Sequence, residues 1–322
     1  MARTDFGGQA LLEGVLMRGR SAIGVALRHP DGTIVSASEP LNSVLHRSRF
    51  ARAPFFRGLV VLYETLVVGT RWLMRSGSVQ AEGEGQEMGR GTIALTLLMT
   101  LGMAIGLFVL LPLFLAGAAA RATIGPGQFL IEHLIEGLIR VFIFVGYLLV
   151  ISRSSEIRRV FQYHGAEHMT IHALEHEDPL DVEHVRKYPT AHQRCGTEFL
   201  VIFIILSILM FSLLAGQNAV VSIVGRIALV PVIASIAYEL LRFGAKHRHR
   251  WWIRWLYLPG IWLQAITTKQ PDDGMIEVAI ASMQEALAAN NEAAPAGSFE
   301  PERRPIPKFV SAQESASDTL TK

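Results

Sequence analysis

The chain has 322 residues, half of them hydrophobic, and its 30 Lys and Arg against 28 Asp and Glu leave a formal net charge of only +2. That near-balance excludes a global nucleic-acid-binding charge, so no nucleic acid is expected as a partner. A single cysteine excludes an internal disulfide framework and fits the reducing side of a membrane.

Residues 1–30 show no continuous apolar core after a basic start, so no cleavable signal peptide is expected. Residues 1–53 read as a small cytosolic or peripheral α+β part. The stretch from Gly7-Gly8-Gln9-Ala10 to Met17-Arg18-Gly19 lacks the Lys-Ser/Thr ending of a phosphate loop. It is either a buried turn-rich strand or a loop that touches substrate. Segments 23–28 and 33–38 flank His29-Pro30-Asp31-Gly32, the pattern of a β-hairpin. Residues 54–75 are helical in period. Arg57, Glu64 and Arg71 recur every seven residues as one polar stripe, with Phe55, Phe56, Tyr63 and Trp72 elsewhere. An amphipathic helix lying in the membrane interface is expected, with an embedded helix as the alternative. Residues 76–91, rich in Gly, Ser and Glu, read as a linker.

Residues 92–240 read as a membrane region of four helices. The stretch 92–120 carries no charge over 29 residues, and about 20 apolar residues suffice to cross the hydrocarbon core. Pro112 marks a kink there. The second span is 129–151, with Glu132, His133, Glu136 and Arg140 toward its start. Glu136 and Arg140 sit at helical spacing for a pair, and charges within a span are candidates for function. The run 199–225 is broken by Gln217-Asn218 after Ala215-Gly216, which gives two helices, about 199–215 and 219–240. Arg226 has the option of snorkelling outward. Eleven Lys or Arg fall in the first ninety residues, six in 152–197 and five in 242–254, against one in 117–130 and none in 215–219. Basic segments stay cytosolic, so both termini and the His-rich segment 152–197 are placed on the cytosolic side. Residues 241–289 comprise a juxtamembrane belt, with Lys246-His247-Arg248-His249-Arg250-Trp251-Trp252, Arg254 and Trp255 set against membrane lipids. A final helix follows, capped by Asp272 or Asp273 and running to about Ala289. Its inner face carries Ile276, Ile280, Met283 and Leu287. The tail 290–322, rich in Pro, Ser, Ala and Glu, is expected to be disordered.

The chemistry concentrates in His164-Gly165-Ala166-Glu167-His168-Met169-Thr170-Ile171-His172, followed by His192 and Cys195. His164 and His168 share one helix face, and Glu167 between them completes the order His-x-x-Glu-His of inverted zinc peptidases. Two imidazoles at that spacing can hold one divalent metal, zinc by donor type. Glu167 can then act as general base toward water at the ion. His172 lies eight residues from His164, about 12 Å along a helix, whereas zinc–nitrogen bonds are about 2.0–2.1 Å. It therefore falls outside that shell, with His176 and Glu175 as neighbours. The third metal ligand is expected from His192, Cys195 or Glu239; Glu239 stands 71 residues beyond His168, a separation typical of inverted zinc peptidases. A closed structural His/Cys site and ordinary interfacial histidines are the competing readings.

Four segments, Gly7-Gly8-Gln9-Ala10 through Met17-Arg18-Gly19, Tyr163-His164-Gly165-Ala166-Glu167-His168, Arg194-Cys195-Gly196-Thr197, and Pro259-Gly260 through Gln270-Pro271-Asp272-Asp273, together resemble the YqhQ-like bacterial membrane family. That family is a domain of unknown function also described as predicted metal-dependent enzymes. The resemblance covers about residues 5–288 and implies a multi-pass bacterial inner-membrane protein. The chain departs from the pattern at Met169, where a lysine is frequent, and at His192-Gln193-Arg194-Cys195, where the pattern has His-Pro-Arg-Cys. Neither change removes a candidate ligand. The expectation is therefore a mainly α, polytopic membrane protein with about four transmembrane helices and a small N-terminal α+β part. It acts as a metal-dependent hydrolase on a membrane-associated substrate at the cytosolic face, or as a non-enzymatic scaffold with a structural metal.

Overall fold

A computed structural model describes residues 6–41, 53–83, 90–123, 129–192, 195–214, 217–247 and 250–306. The N-terminal segment forms an antiparallel meander of β1 (Gly7–Leu11), β2 (Gly14–Arg18), β3 (Ala22–Arg28) and β4 (Ile34–Pro40), with β5 (Arg304–Pro305) added parallel to β4. Leu11 pairs with Gly14 across a two-residue turn in which Glu13 has φ of 52°. The β3–β4 turn closes at Gly32, φ 86°, where Asp31 accepts from the Thr33 N–H at 2.9 Å. Among the described residues the helices are α1 (Phe56–Gly83), α2 (Arg90–Ile105), α3 (Leu111–Thr123), α4 (Phe129–Ile151), α5 (Ser155–Glu175), α6 (Val182–Val185), α7 (Gly196–Ser212), α8 (Ala219–Lys246), α9 (Trp251–Thr267) and α10 (Asp273–Ala289). A π turn, Gly106–Leu110, joins α2 to α3.

Alternation along the strands gives the sheet two apolar faces. Val15, Met17, Ala26 and Ile34 face α5 and α10, while Leu16, Val25, Leu27 and Val35 face Val68, Trp72 and Val79 of α1. Gly24 lets α10 approach β3 at backbone distance, since a Cβ there would lie 2.2 Å from the Ala286 nitrogen and 2.5 Å from the Ser282 oxygen. Asp272 caps α10 by accepting from the Met275 N–H at 2.9 Å, and Ile276, Ile280, Met283 and Leu287 are buried.

Helix α1 differs from its expected form in two respects. It runs to Gly83, into the stretch expected to be linker, because Val79 packs with the sheet residues and Ser76 Oγ accepts from the Leu12 N–H at 3.2 Å. Its polar stripe also binds protein: Arg57 pairs with Glu239, Glu64 with Arg18, and Arg71 with Glu39 at 2.6 Å. The seven-residue repeat thus marks a docking edge along β2, β4 and α8, while Tyr63, Leu66 and Val67 stay exposed. The expected linker residues 84–89 lie outside the described residues.

Three helical segments among the described residues are long and apolar enough to cross a membrane: Ala94–Ala118, Leu134–Ile151 and Val220–Gly244. Helix α7, with 17 residues, is shorter. Exposed Leu98, Phe114 and Phe142 give these segments the outward apolar surface that lipid requires. The protein is a membrane protein, mainly helical, with a small N-terminal sheet. Pro112 has no N–H for the carbonyl four residues back, and Arg140 Nε donates to that carbonyl, Phe108 O, at 3.1 Å. Arg140 and Arg226 both bond Glu136 at 2.6 Å, and the Phe211 ring lies 5.7 and 5.4 Å from their guanidinium carbons. Arg226 therefore turns inward rather than snorkelling, because Glu136 supplies a buried counter-charge.

The chain beyond α10 is ordered further than expected. Asn290 accepts from the Ser21 N–H at 2.8 Å, Phe299 N–H donates to Leu180 O at 3.1 Å, and Ile306 N–H donates to Ser36 O at 2.9 Å. These long-range bonds supply what the polar composition of 290–306 did not. Residues 307–322 lie outside the described residues, as do 248–249 and the side chains of 252–257 in the expected basic and aromatic belt.

Candidate metal centre

Helix α5 packs its apolar face on the sheet and turns a row of polar side chains toward α7, α9 and the 176–192 loop. His164 Nδ1 lies 2.9 Å from Thr267 O, and His168 Nδ1 lies 2.6 Å from Thr190 O. A carbonyl only accepts, so each Nδ1 carries the proton and each Nε2 presents its lone pair. This is how second-layer carbonyls orient metal-binding imidazoles. Cys195 caps α7, accepting from the Thr197 N–H at 3.5 Å, and its Sγ stands 3.2 Å from His164 Nε2. One ligand atom each from His164, His168 and Cys195 lies within 4.8 Å of the others. Donors of a tetrahedral zinc shell, bonded at about 2.0–2.3 Å, sit about 3.3–3.8 Å apart. Two nitrogens and one sulfur gathered within this distance can supply three ligands of such a shell.

Electrostatics follow from burial. Desolvation, helped by the neighbouring His164, holds His168 well below its ordinary pKa, so the ring is neutral and free to donate its lone pair. Burial pushes the Cys195 thiol up, opposed by the Thr197 donors. Burial also pushes Glu167 up to about 8, against the pull of His164 and the Gly8 N–H. Glu167 Oε2, Thr197 Oγ1 and both carboxylate oxygens of Glu198 are buried with no hydrogen-bond partner among the described residues. Two buried carboxylates beside a thiol form an arrangement that a cation would compensate.

His164, Glu167, His168 and Cys195 line a cavity of about 500 Å³, closed on the other side by Gly8 and Gln9 of the edge strand β1. A second cavity of about 320 Å³ shares Gly7, Gly8, Gln9, Thr65 and Gly196 with it and is walled by Leu62, Phe199 and Leu241.

Two expected ligands are placed elsewhere. Glu239 accepts from Arg57 Nε at 2.7 Å and from the Phe55 N–H at 3.1 Å. The arginine on α1 claims both its oxygens, so it is an ion-pair partner and not a member of the cluster. His192 lines the cavity, but its Nε2 is 3.4 Å from Glu175 Oε1, and it groups with His172 and Glu175. Its ring centroid is 5.7 Å from that of His168. Glu198 was not singled out from the sequence. Its signal was a carboxylate three residues after Cys195, on the same helix face, at the head of an otherwise apolar helix.

The family described as "Protein of unknown function (DUF1385)" matches residues 53–289. The chain belongs to this family. "Uncharacterized protein YqhQ" of Bacillus subtilis (strain 168) is 33% identical over 297 residues, 88% of this chain and 92% of that relative. No solved structure matches. The DUF1385 match takes in His164, Glu167, His168, His192 and Cys195 but begins after β4, so the edge strand β1 that closes the cavity lies before it.

Proposed function

We propose that this DUF1385 protein is a zinc-dependent hydrolase of the bacterial inner membrane, working at its cytosolic face. The observation that carries the reading is the convergence of His164, His168 and Cys195 within 4.8 Å, beside a buried carboxylate oxygen of Glu167 that has no hydrogen-bond partner among the described residues, on one cavity. His164 Nε2, His168 Nε2 and Cys195 Sγ would hold the ion. A divalent ion there supplies Lewis acidity and makes water a nucleophile near neutral pH. Glu167 accepts the proton from the attacking water and returns it to the leaving group. Gly8 holds Glu167 through its N–H, and Thr190 and Thr267 fix the imidazoles. Helix α7 counts as a fourth span at the lower end of the usual length, which puts both termini and the cluster on the cytosolic side by the basic-residue bias. The apolar cavity next to the cluster fits a membrane-associated substrate with a hydrocarbon or apolar peptide portion.

The test is Glu167→Gln in detergent-purified and reconstituted protein, assayed on lipid-linked ester and membrane-peptide substrates. The variant is expected to keep its zinc and lose at least about a hundredfold in turnover. Unchanged turnover removes the mechanism. A wild-type protein that holds zinc, hydrolyses nothing in the panel and melts when zinc is withdrawn favours the scaffold reading instead.

A further inference from the structure

One turn further along α5 stands a second group of donors that the proposed mechanism does not use. His172, Glu175 and His192 each offer one ligand atom, and these lie within 4.8 Å of one another. His172 and Glu175 share a face of the last turn of α5, and His192 approaches from the loop. His172 Nε2 is 3.0 Å from Ala191 O, so that nitrogen carries the proton and Nδ1 is left with the lone pair. His192 is held in place from behind. Its N–H donates to Gln264 Oε1 at 2.8 Å, and Gln264 Nε2 donates to its carbonyl at 2.9 Å, with Gln264 fully buried. Tyr188 stacks on the His172 ring, with centroids 5.8 Å apart and planes at 6°. The side chains of His192 and Glu175 are only 6% and 10% exposed.

We infer that His172, Glu175 and His192 form a second divalent-cation site, distinct from the His164, His168 and Cys195 cluster and structural in role. Two imidazoles and a carboxylate are a donor set that suits zinc and its neighbours. His192 lines the 500 Å³ cavity, whereas His172 and Glu175 do not. An ion there ties the loop back to α5 across 16 intervening residues, 176–191. The same loop carries Thr190, whose carbonyl orients His168. The loop is thus the one element that both sites share.

Cobalt(II) titration of the metal-stripped, full-length protein in detergent separates the two sites, because only the first contains a thiolate. Two equivalents are expected to bind, with the near-ultraviolet sulfur-to-cobalt charge-transfer band complete after one of them. Glu175→Gln should lower the stoichiometry from two to one and leave the band at full height, which also shows that the variant is folded. Cys195→Ser should abolish the band and retain one equivalent. Saturation of the wild type at one equivalent with a full band overturns the second site, as does a Glu175→Gln variant that still binds two. If that variant unfolds, the wild-type stoichiometry decides. One equivalent without a band, lost in Glu175→Gln, would keep this site and remove the first.

Discussion

Gly8 and Glu167 compete for the same few ångströms. A Cβ on residue 8 would lie 2.8 Å from the Glu167 carboxyl carbon and 2.7 Å from Leu16 O, so any larger side chain displaces the carboxylate or the strand. Gly8→Ala is expected to cost about 1–3 kcal/mol of stability and to lower turnover, while zinc content stays at the wild-type level. Thermal unfolding and elemental analysis of one preparation check both. Glu239 provides the opposite control. Because Arg57 occupies it, Glu239→Gln should leave metal content unchanged and cost about 1 kcal/mol for a partly exposed, charge-assisted pair. Loss of metal in that variant would return Glu239 to the ligand set. The His-x-x-Glu-His core was legible because helical periodicity alone places i and i+4 together, whereas Cys195 was one of three candidates for the third ligand, beside His192 and Glu239. The partition of His192 away from that core was not legible, since it depends on where Gln264 of α9 pins a loop.

At the scale of elements, α1 shows how one pattern supports two structures. Arg57, Glu64 and Arg71 repeat every seven residues whether they face lipid headgroups or protein. Here they meet Glu239, Arg18 and Glu39, which come from three different elements. The segment after α10 carries the same lesson. Its composition is that of a disordered tail, yet Gln284 donates to Phe299 O at 2.6 Å, Leu180 N–H donates to Ser298 Oγ at 2.9 Å, and β5 extends the sheet. Truncation after Asn290 removes these bonds, each worth about 1 kcal/mol net. It is expected to destabilise the protein by about 2–4 kcal/mol without loss of metal. Chemical denaturation of the truncated chain, with metal content measured alongside, tests this.

Taken whole, the molecule joins a sheet-and-helix layer to a helical membrane bundle, and the candidate centre lies where α5, α7 and α9 meet the edge strand. The bundle has its own polar knot. Glu136 bonds both Arg140 and Arg226, so Glu136→Gln leaves two buried guanidiniums without their counter-charge. That should cost about 3–5 kcal/mol, read as a lowered unfolding midpoint in detergent. Glu136→Asp should lose less, and an unchanged midpoint would contradict the pairing.

Local sequence suffices for the membrane class, three of the four expected apolar spans, the hairpin and the His164, Glu167 and His168 constellation. Each of these follows from local periodicity or from hydrophobic length, which neighbouring residues encode among themselves. The rest needs the fold: Cys195 comes beside His164 and His168, His192 beside His172 and Glu175, Glu239 beside Arg57, and Arg226 turns inward to Glu136. Those assignments depend on which partner reaches a polar group first once it leaves water, and the competing partners are distant in sequence.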